Sequence, residues 1–214
     1  MIDGIRLKVC GLTSLVDTEA ADQAGADYLG FIFYPKSPRF ISVENYTAMA
    51  ARLPERKKVA VCVEPTTAEL ITLQRAGFDY FQIHFKHVVP VPVIAEWSRL
   101  VTSDKLWLAP KLPQSEPFNI AWLSHTKTVL LDTFHADGFG GSGQIGDWKN
   151  FVQLRLEHPH IQWILAGGLN PTNIAEALRS TSARFVDVNS GIEKAPGVKD
   201  NSLIKAFTDA MKRK

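Results

Sequence analysis

Cysteine is scarce in this chain of 214 residues: only Cys10 and Cys62 occur. Two thiols make no disulfide framework, so a reducing compartment, the cytoplasm, is the expectation. The six histidines include no His-Glu-x-x-His, and His84 and His87 have no third ligand in view, so no metal is expected. Charge of one sign is lacking too. The formal balance of +2 is too small for a nucleic-acid or membrane-surface footprint. No apolar run approaches the length of a membrane span, and residues 1–6 show no basic-then-apolar export pattern. What is left, at 45% hydrophobic residues, is a globular chain with a substantial core.

What is present is alternation. Apolar, β-rich runs at 6–10, 27–33, 57–63, 79–85, 105–111, 128–132, 161–166 and 184–188 alternate with helical patterns, as βα units around a parallel sheet do. Helix starts are marked by Ser14 with Asp17, by Ser42, and by Thr66-x-x-Glu69, a capping box. Asn170 reads as an N-cap with Pro171 at the first helical position, and the last helix follows Asp200. Gly25 and Gly77 close the first and third helices, Pro90 and Pro92 delay the fourth to about Val93, and a short helix falls within 118–124. Ala24-Gly25-Ala26-Asp27-Tyr28 returns as Ala76-Gly77-Phe78-Asp79-Tyr80, which suggests equivalent quarters. With no linker anywhere in 1–214, the expectation is a single α/β domain, a (β/α)8 TIM barrel of eight parallel strands with outer helices.

Side chains alternate along each strand, so the apolar set of Phe81, Ile83 and Phe85 should meet the helices and leave Gln82 and His84 facing the barrel interior. The same rule groups Lys8 with Cys10 and Asp187 with Asn189. Strands one and eight are neighbours in a closed barrel, and a lone buried charge is costly, so Lys8 and Asp187 are expected to pair. Such barrels keep their chemistry at the carboxyl ends of the strands. Cys10 stands at one of those ends, although a lone cysteine is most often a small buried hydrophobe. Asp132 closes the apolar run of strand six, where partial desolvation would keep a proton on it; a cap for the next loop is the plainer role. Gly167-Gly168 and Ser190-Gly191 follow strands seven and eight, the usual phosphate cradle of this fold. The letters Gly-x-Gly-x-x-Gly at 138–143 sit in mid-loop rather than at a strand-to-helix turn, so they read as a mobile lid and not as a dinucleotide site. Arg39, beside the prolines of its loop, has the chemistry to hold a carboxylate.

Several segments together resemble the phosphoribosylanthranilate isomerase family of tryptophan biosynthesis. They are Lys8-Val9-Cys10-Gly11-Leu12-Thr13, Leu29-Gly30-Phe31-Ile32-Phe33-Tyr34-Pro35-Lys36-Ser37-Pro38-Arg39, Leu131-Asp132-Thr133, Gly140-Gly141-Ser142-Gly143, Ala166-Gly167-Gly168-Leu169, and residues 186–193. The resemblance implies an Amadori rearrangement of N-(5-phosphoribosyl)anthranilate, with Cys10 as general base at the ribose C2 and Asp132 as general acid at the ring oxygen. It also implies Arg39 on the anthranilate carboxylate, the glycine loops on the phosphate, and no cofactor. The partner would be a phosphorylated small molecule, and the assembly a monomer or homodimer. The chain departs from the family at Phe85, where glycine is common, and at Asn189, where serine is. A histidine-pathway isomerase, which uses two carboxylates and a substrate with two phosphates, fits a cysteine in the base position poorly. A barrel that only binds a phosphorylated metabolite would not require both Cys10 and Asp132.

Overall fold

The computed structural model describes residues 1–113, 116–132 and 148–212, so the glycine-rich lid expected at 133–147 lies outside the described residues. Strands β1 (Arg6–Val9), β2 (Tyr28–Ile32), β3 (Lys57–Val63), β4 (Tyr80–Lys86), β5 (Leu106–Lys111), β6 (Thr128–Leu131), β7 (Gln162–Leu165) and β8 (Phe185–Val188) pair in parallel in chain order, and β8 closes on β1. Around them stand α1 (Leu15–Gln23), α2 (Val43–Ala50), α3 (Thr67–Arg75), α4 (Val91–Val101), a 3-10 segment (Ile120–His125), α5 (Trp148–Glu157), α6 (Ile174–Thr181) and α7 (Asn201–Met211). This is the expected TIM barrel.

Local chemistry explains most element starts. Ser14, Ser42, Thr66 and Asp200 each accept from a backbone N–H in the first turn of the helix that follows, and Thr66 with Glu69 forms the full capping box. The repeated pentapeptide has one structural meaning in both copies. Asp27 Oδ2 accepts from the Leu7 N–H (2.9 Å) and Asp79 Oδ2 from the Lys58 N–H (2.8 Å), so each aspartate ties the foot of its own strand to the preceding one.

Two expectations are corrected. Helix α4 begins at Val91, with Pro90 as its cap and Pro92 inside the first turn, where a missing N–H costs nothing because that turn has no intrahelical acceptor. Helix α6 begins at Ile174 after Asn173. Asn170 Oδ1 instead accepts from the Thr172 N–H (2.8 Å), an Asx-turn that competes with helix entry. After β8 the chain makes a 3-10 turn (Ser190–Ile192) and a small antiparallel hairpin, β9 (Glu193–Ala195) with β10 (Val198–Lys199), before α7.

The core has two layers. The outer one lies between strands and helices, and it takes Phe81, Ile83 and Phe85. Phe85 meets Trp97 and Trp122 edge-on at 5.8 and 5.1 Å, so the residue that departs from the family faces the helices and leaves the barrel interior unchanged. The inner layer is sealed at the amino end of the strands by aromatics. Tyr28 stacks on Phe185 (4.8 Å) and meets Trp107 edge-on (5.2 Å), while Tyr80 tilts against Trp107 (4.9 Å). Burying such rings contributes roughly 1.5–3 kcal/mol each. With that end plugged, polar groups gather at the other.

Candidate active site

At the carboxyl ends of the strands a cleft of ≈ 730 Å³, mouth included, is lined by Cys10, Arg39, Gln82, His84, Asp132 and Asp187, with residues 166–169 and Asn189–Ser190 on the far wall. The side chains and loops named from the sequence therefore share one cavity. Gly191 stands behind the wall: a Cβ there would collide with the Leu169 carbonyl, so its lack of a side chain lets the turn after β8 pack on the loop after β7. Gly167 and Gly168 both have positive φ (89° and 65°), a backbone that favours glycine and brings no side chain to this wall of the cleft.

Cys10 follows β1 and is buried (3% exposed). Burial pushes its thiol above the ordinary value; the Lys8 ammonium pulls it back, Asp187 pushes it further up, and Lys199 draws it down. Lys8, two residues earlier on the same face, is wholly buried and donates from Nζ to Asp187 Oδ1 at 2.9 Å. Burial alone would lower the Lys8 pKa, yet Asp187 together with Cys10 holds it above its usual value. The pairing expected from strand order is met in register, Lys8 opposite Asp187. Cys62, in β3, is also buried and its thiol is pushed far up by burial, which leaves it inert at neutral pH.

Burial, seconded by Lys8, lowers His84 to about 4, so the imidazole is neutral at neutral pH. Its Nε2 lies 2.8 Å from the Gln82 side-chain amide, a contact that fixes the ring against β4.

Arg39, in the loop after β2, donates from Nε to both carboxylate oxygens of Glu193 (2.9 and 3.1 Å) and from Nη2 to Oε2 (2.7 Å). Those bonds use the side edge of the fork, and Nη1 has no hydrogen-bond partner among the described residues. The end of the guanidinium thus remains free to take a second carboxylate in bidentate fashion. Glu193 also accepts from Lys199 Nζ (2.9 Å). Burial would raise its pKa, but Arg39 and Lys199 hold it below the usual range. Lys199 donates as well to the backbone oxygen and Oδ1 of Asn189 (3.1 and 2.9 Å), so the asparagine that departs from the family pattern is matched by a buried lysine from the hairpin.

Sequence reasoning missed Glu193 and Lys199 as parts of this site. The only local sign was Pro196-Gly197, a turn signal at the hairpin tip. It missed Gly30 as well: a Cβ on Gly30 would sit 3.0 Å from Lys8 Nζ and 3.1 Å from Cys10 Sγ.

The family model for N-(5'phosphoribosyl)anthranilate (PRA) isomerase matches residues 7–210. The N-(5'-phosphoribosyl)anthranilate isomerase of Magnetococcus marinus is 34% identical over 211 residues, covering 98% of this chain and 96% of that one. Among solved structures, a phosphoribosyl anthranilate isomerase in complex with reduced 1-(o-carboxyphenylamino)-1-deoxyribulose 5-phosphate superposes with a TM-score of 0.75 at 28% identity, covering 98% of this chain and 100% of the other. Monomers generated from the dimeric isomerase of Thermotoga maritima superpose with a TM-score of 0.74 at 28% identity, over 97% and 98% of the two chains.

Proposed function

Because the chain belongs to the N-(5'-phosphoribosyl)anthranilate isomerase family and catalyses that isomerisation in tryptophan biosynthesis, we propose that Cys10 and Asp132 are the base and the acid that perform it. Asp132 donates a proton to the furanose ring oxygen. The bond from that oxygen to C1 breaks, and the anthranilate nitrogen lone pair forms the C1 iminium. The Cys10 thiolate then takes the C2 proton; the C–H electron pair becomes the C1–C2 double bond and the iminium electrons return to nitrogen. Protonation at C1 and loss of the enol proton give 1-(2-carboxyphenylamino)-1-deoxyribulose 5-phosphate. The protonated imine is the electron sink, so the reaction calls for no cofactor.

The observation that carries this reading is one cleft walled by both a strand-end thiol and a strand-end carboxyl group, on β1 and after β6. Around them, the backbone of Gly167, Gly168, Ser190 and Gly191 receives the phosphate, and Arg39 receives the anthranilate carboxylate on its free end. Gln82 and neutral His84 meet the ribose from β4. The partner is this phosphorylated small molecule. No helix among the described residues is long and apolar enough to cross a membrane. The protein acts in the cytoplasm as a monomer or homodimer.

The direct test is turnover of freshly prepared N-(5'-phosphoribosyl)anthranilate, followed by loss of its fluorescence, beside the doubly phosphorylated histidine-pathway aminoaldose. Conversion of the first alone is expected, and failure to convert it would overturn the reading. Arg39→Ala should raise KM by about 10–100-fold, the worth of a charge-assisted hydrogen bond, and change kcat less. An unchanged KM would remove the carboxylate contact.

A further inference from the structure

Lys8 is a lysine with no exposed surface in the middle of a barrel. Asp187 compensates its charge, but a buried ion pair with no other task is usually replaceable by apolar side chains at little or no loss. The surroundings of Lys8 point to a task. Its Nζ and the Cys10 sulfur converge on one spot, 3.0 and 3.1 Å from where a Cβ of Gly30 would be, and Lys8 Cε is 2.8 Å from it. Strand β2 therefore has a gap where its neighbour β1 has both a cation and a thiol. Any side chain at position 30 would push the two out of place.

We propose that Lys8 is the positioning residue of the base: anchored on Asp187 and lodged in the gap at Gly30, its ammonium sits beside the Cys10 sulfur and stabilises the thiolate formed there when the thiol gives up its proton. This rests on the reading of Cys10 as general base. The thiol proton passes to water in the cleft, the S–H electron pair stays on sulfur, and Lys8 is an ammonium before and after. Asp187 has two opposed effects. It fixes Lys8 in place, and its own negative charge disfavours the thiolate. Among the described residues, the other charged and titratable groups at the cleft are Tyr34 and Arg39 after β2, with Glu193 and Lys199 from the hairpin, neutral His84 from β4, and Asp132 after β6. Of these, Lys199 also favours the thiolate.

The opposed roles give an experiment with a sign in it. Alkylation of Cys10 by iodoacetamide, followed by mass spectrometry across pH, reads the thiolate fraction through its midpoint, while access to the sulfur changes only the plateau. Lys8→Met should move the midpoint up by at least about one pH unit, so that labelling near neutrality slows about tenfold, and the rising limb of kcat/KM should move with it. Asp187→Asn should move the midpoint less than Lys8→Met does, because it removes both the anchor of Lys8 and a negative charge that disfavours the thiolate. The neutral double variant Lys8→Met/Asp187→Asn leaves no unpaired buried charge, so it keeps the test open if Lys8→Met does not fold; its midpoint should lie above that of Asp187→Asn. A midpoint unmoved in Lys8→Met, or a double variant whose midpoint is not above that of Asp187→Asn, would overturn the proposal. Full turnover by Cys10→Ala would instead overturn the reading of the base, while the labelling result for Lys8 would stand by itself.

Discussion

Replacing Cys10 by alanine is expected to cut kcat by about 10²–10⁴-fold, the usual worth of a positioned general base, with little change in KM or in thermal stability. The side chain is small, alanine fills most of its volume, and Lys8 keeps its bond to Asp187. The phosphate and carboxylate contacts lie elsewhere in the cleft, so binding should survive. The pH profile supplies a second check on the intact protein. A thiolate base is active only when ionised, so kcat/KM should rise with pH. Because burial raises the Cys10 pKa in the free protein against the pull of Lys8, that rise should fall on the alkaline side of an ordinary thiol. Retention of more than a tenth of wild-type kcat by Cys10→Ala would end the assignment.

Much of this site was legible because a barrel turns sequence into position by two rules, alternation along a strand and adjacency of the first and last strands. Those rules put Gln82 and His84 inside and Phe85 outside. They also set Lys8 opposite Asp187, across a separation of 179 residues, because a buried ammonium needs a counter-charge. Such rules stop where the strands stop. Glu193 joins Arg39 across 154 residues through a hairpin with no apolar period to announce it, since a strand of three residues with mostly charged and small side chains shows no alternation. The start of α6 was misread for a related reason. Asn170 and Pro171 are good helix-entry residues, but Asn170 spends its side chain on Thr172 and the helix begins later. Gly30 was readable only as an ordinary strand glycine. Its purpose depends on two side chains of the neighbouring strand, which composition does not reveal.

Asp132→Asn should lower kcat on the same scale as Cys10→Ala, about 10²–10⁴-fold, yet by slowing a different step. Asparagine keeps the size and shape of the carboxyl group at the end of β6 but has no acidic proton for the ring oxygen. Ring opening then waits on water and becomes the slow step ahead of proton removal. A substrate deuterated at C2 separates the two residues. In Asp132→Asn, any isotope effect on kcat should vanish, because the C2–H bond breaks after the limiting step. In Cys10→Ala the effect should persist or grow, since breaking that bond is the step made slow. Both variants should still bind the reduced product analogue seen with the structural relative, as its phosphate and carboxylate have other ligands. An isotope effect that survives in Asp132→Asn, or a kcat within tenfold of wild type, would show that the ring oxygen takes its proton from another group.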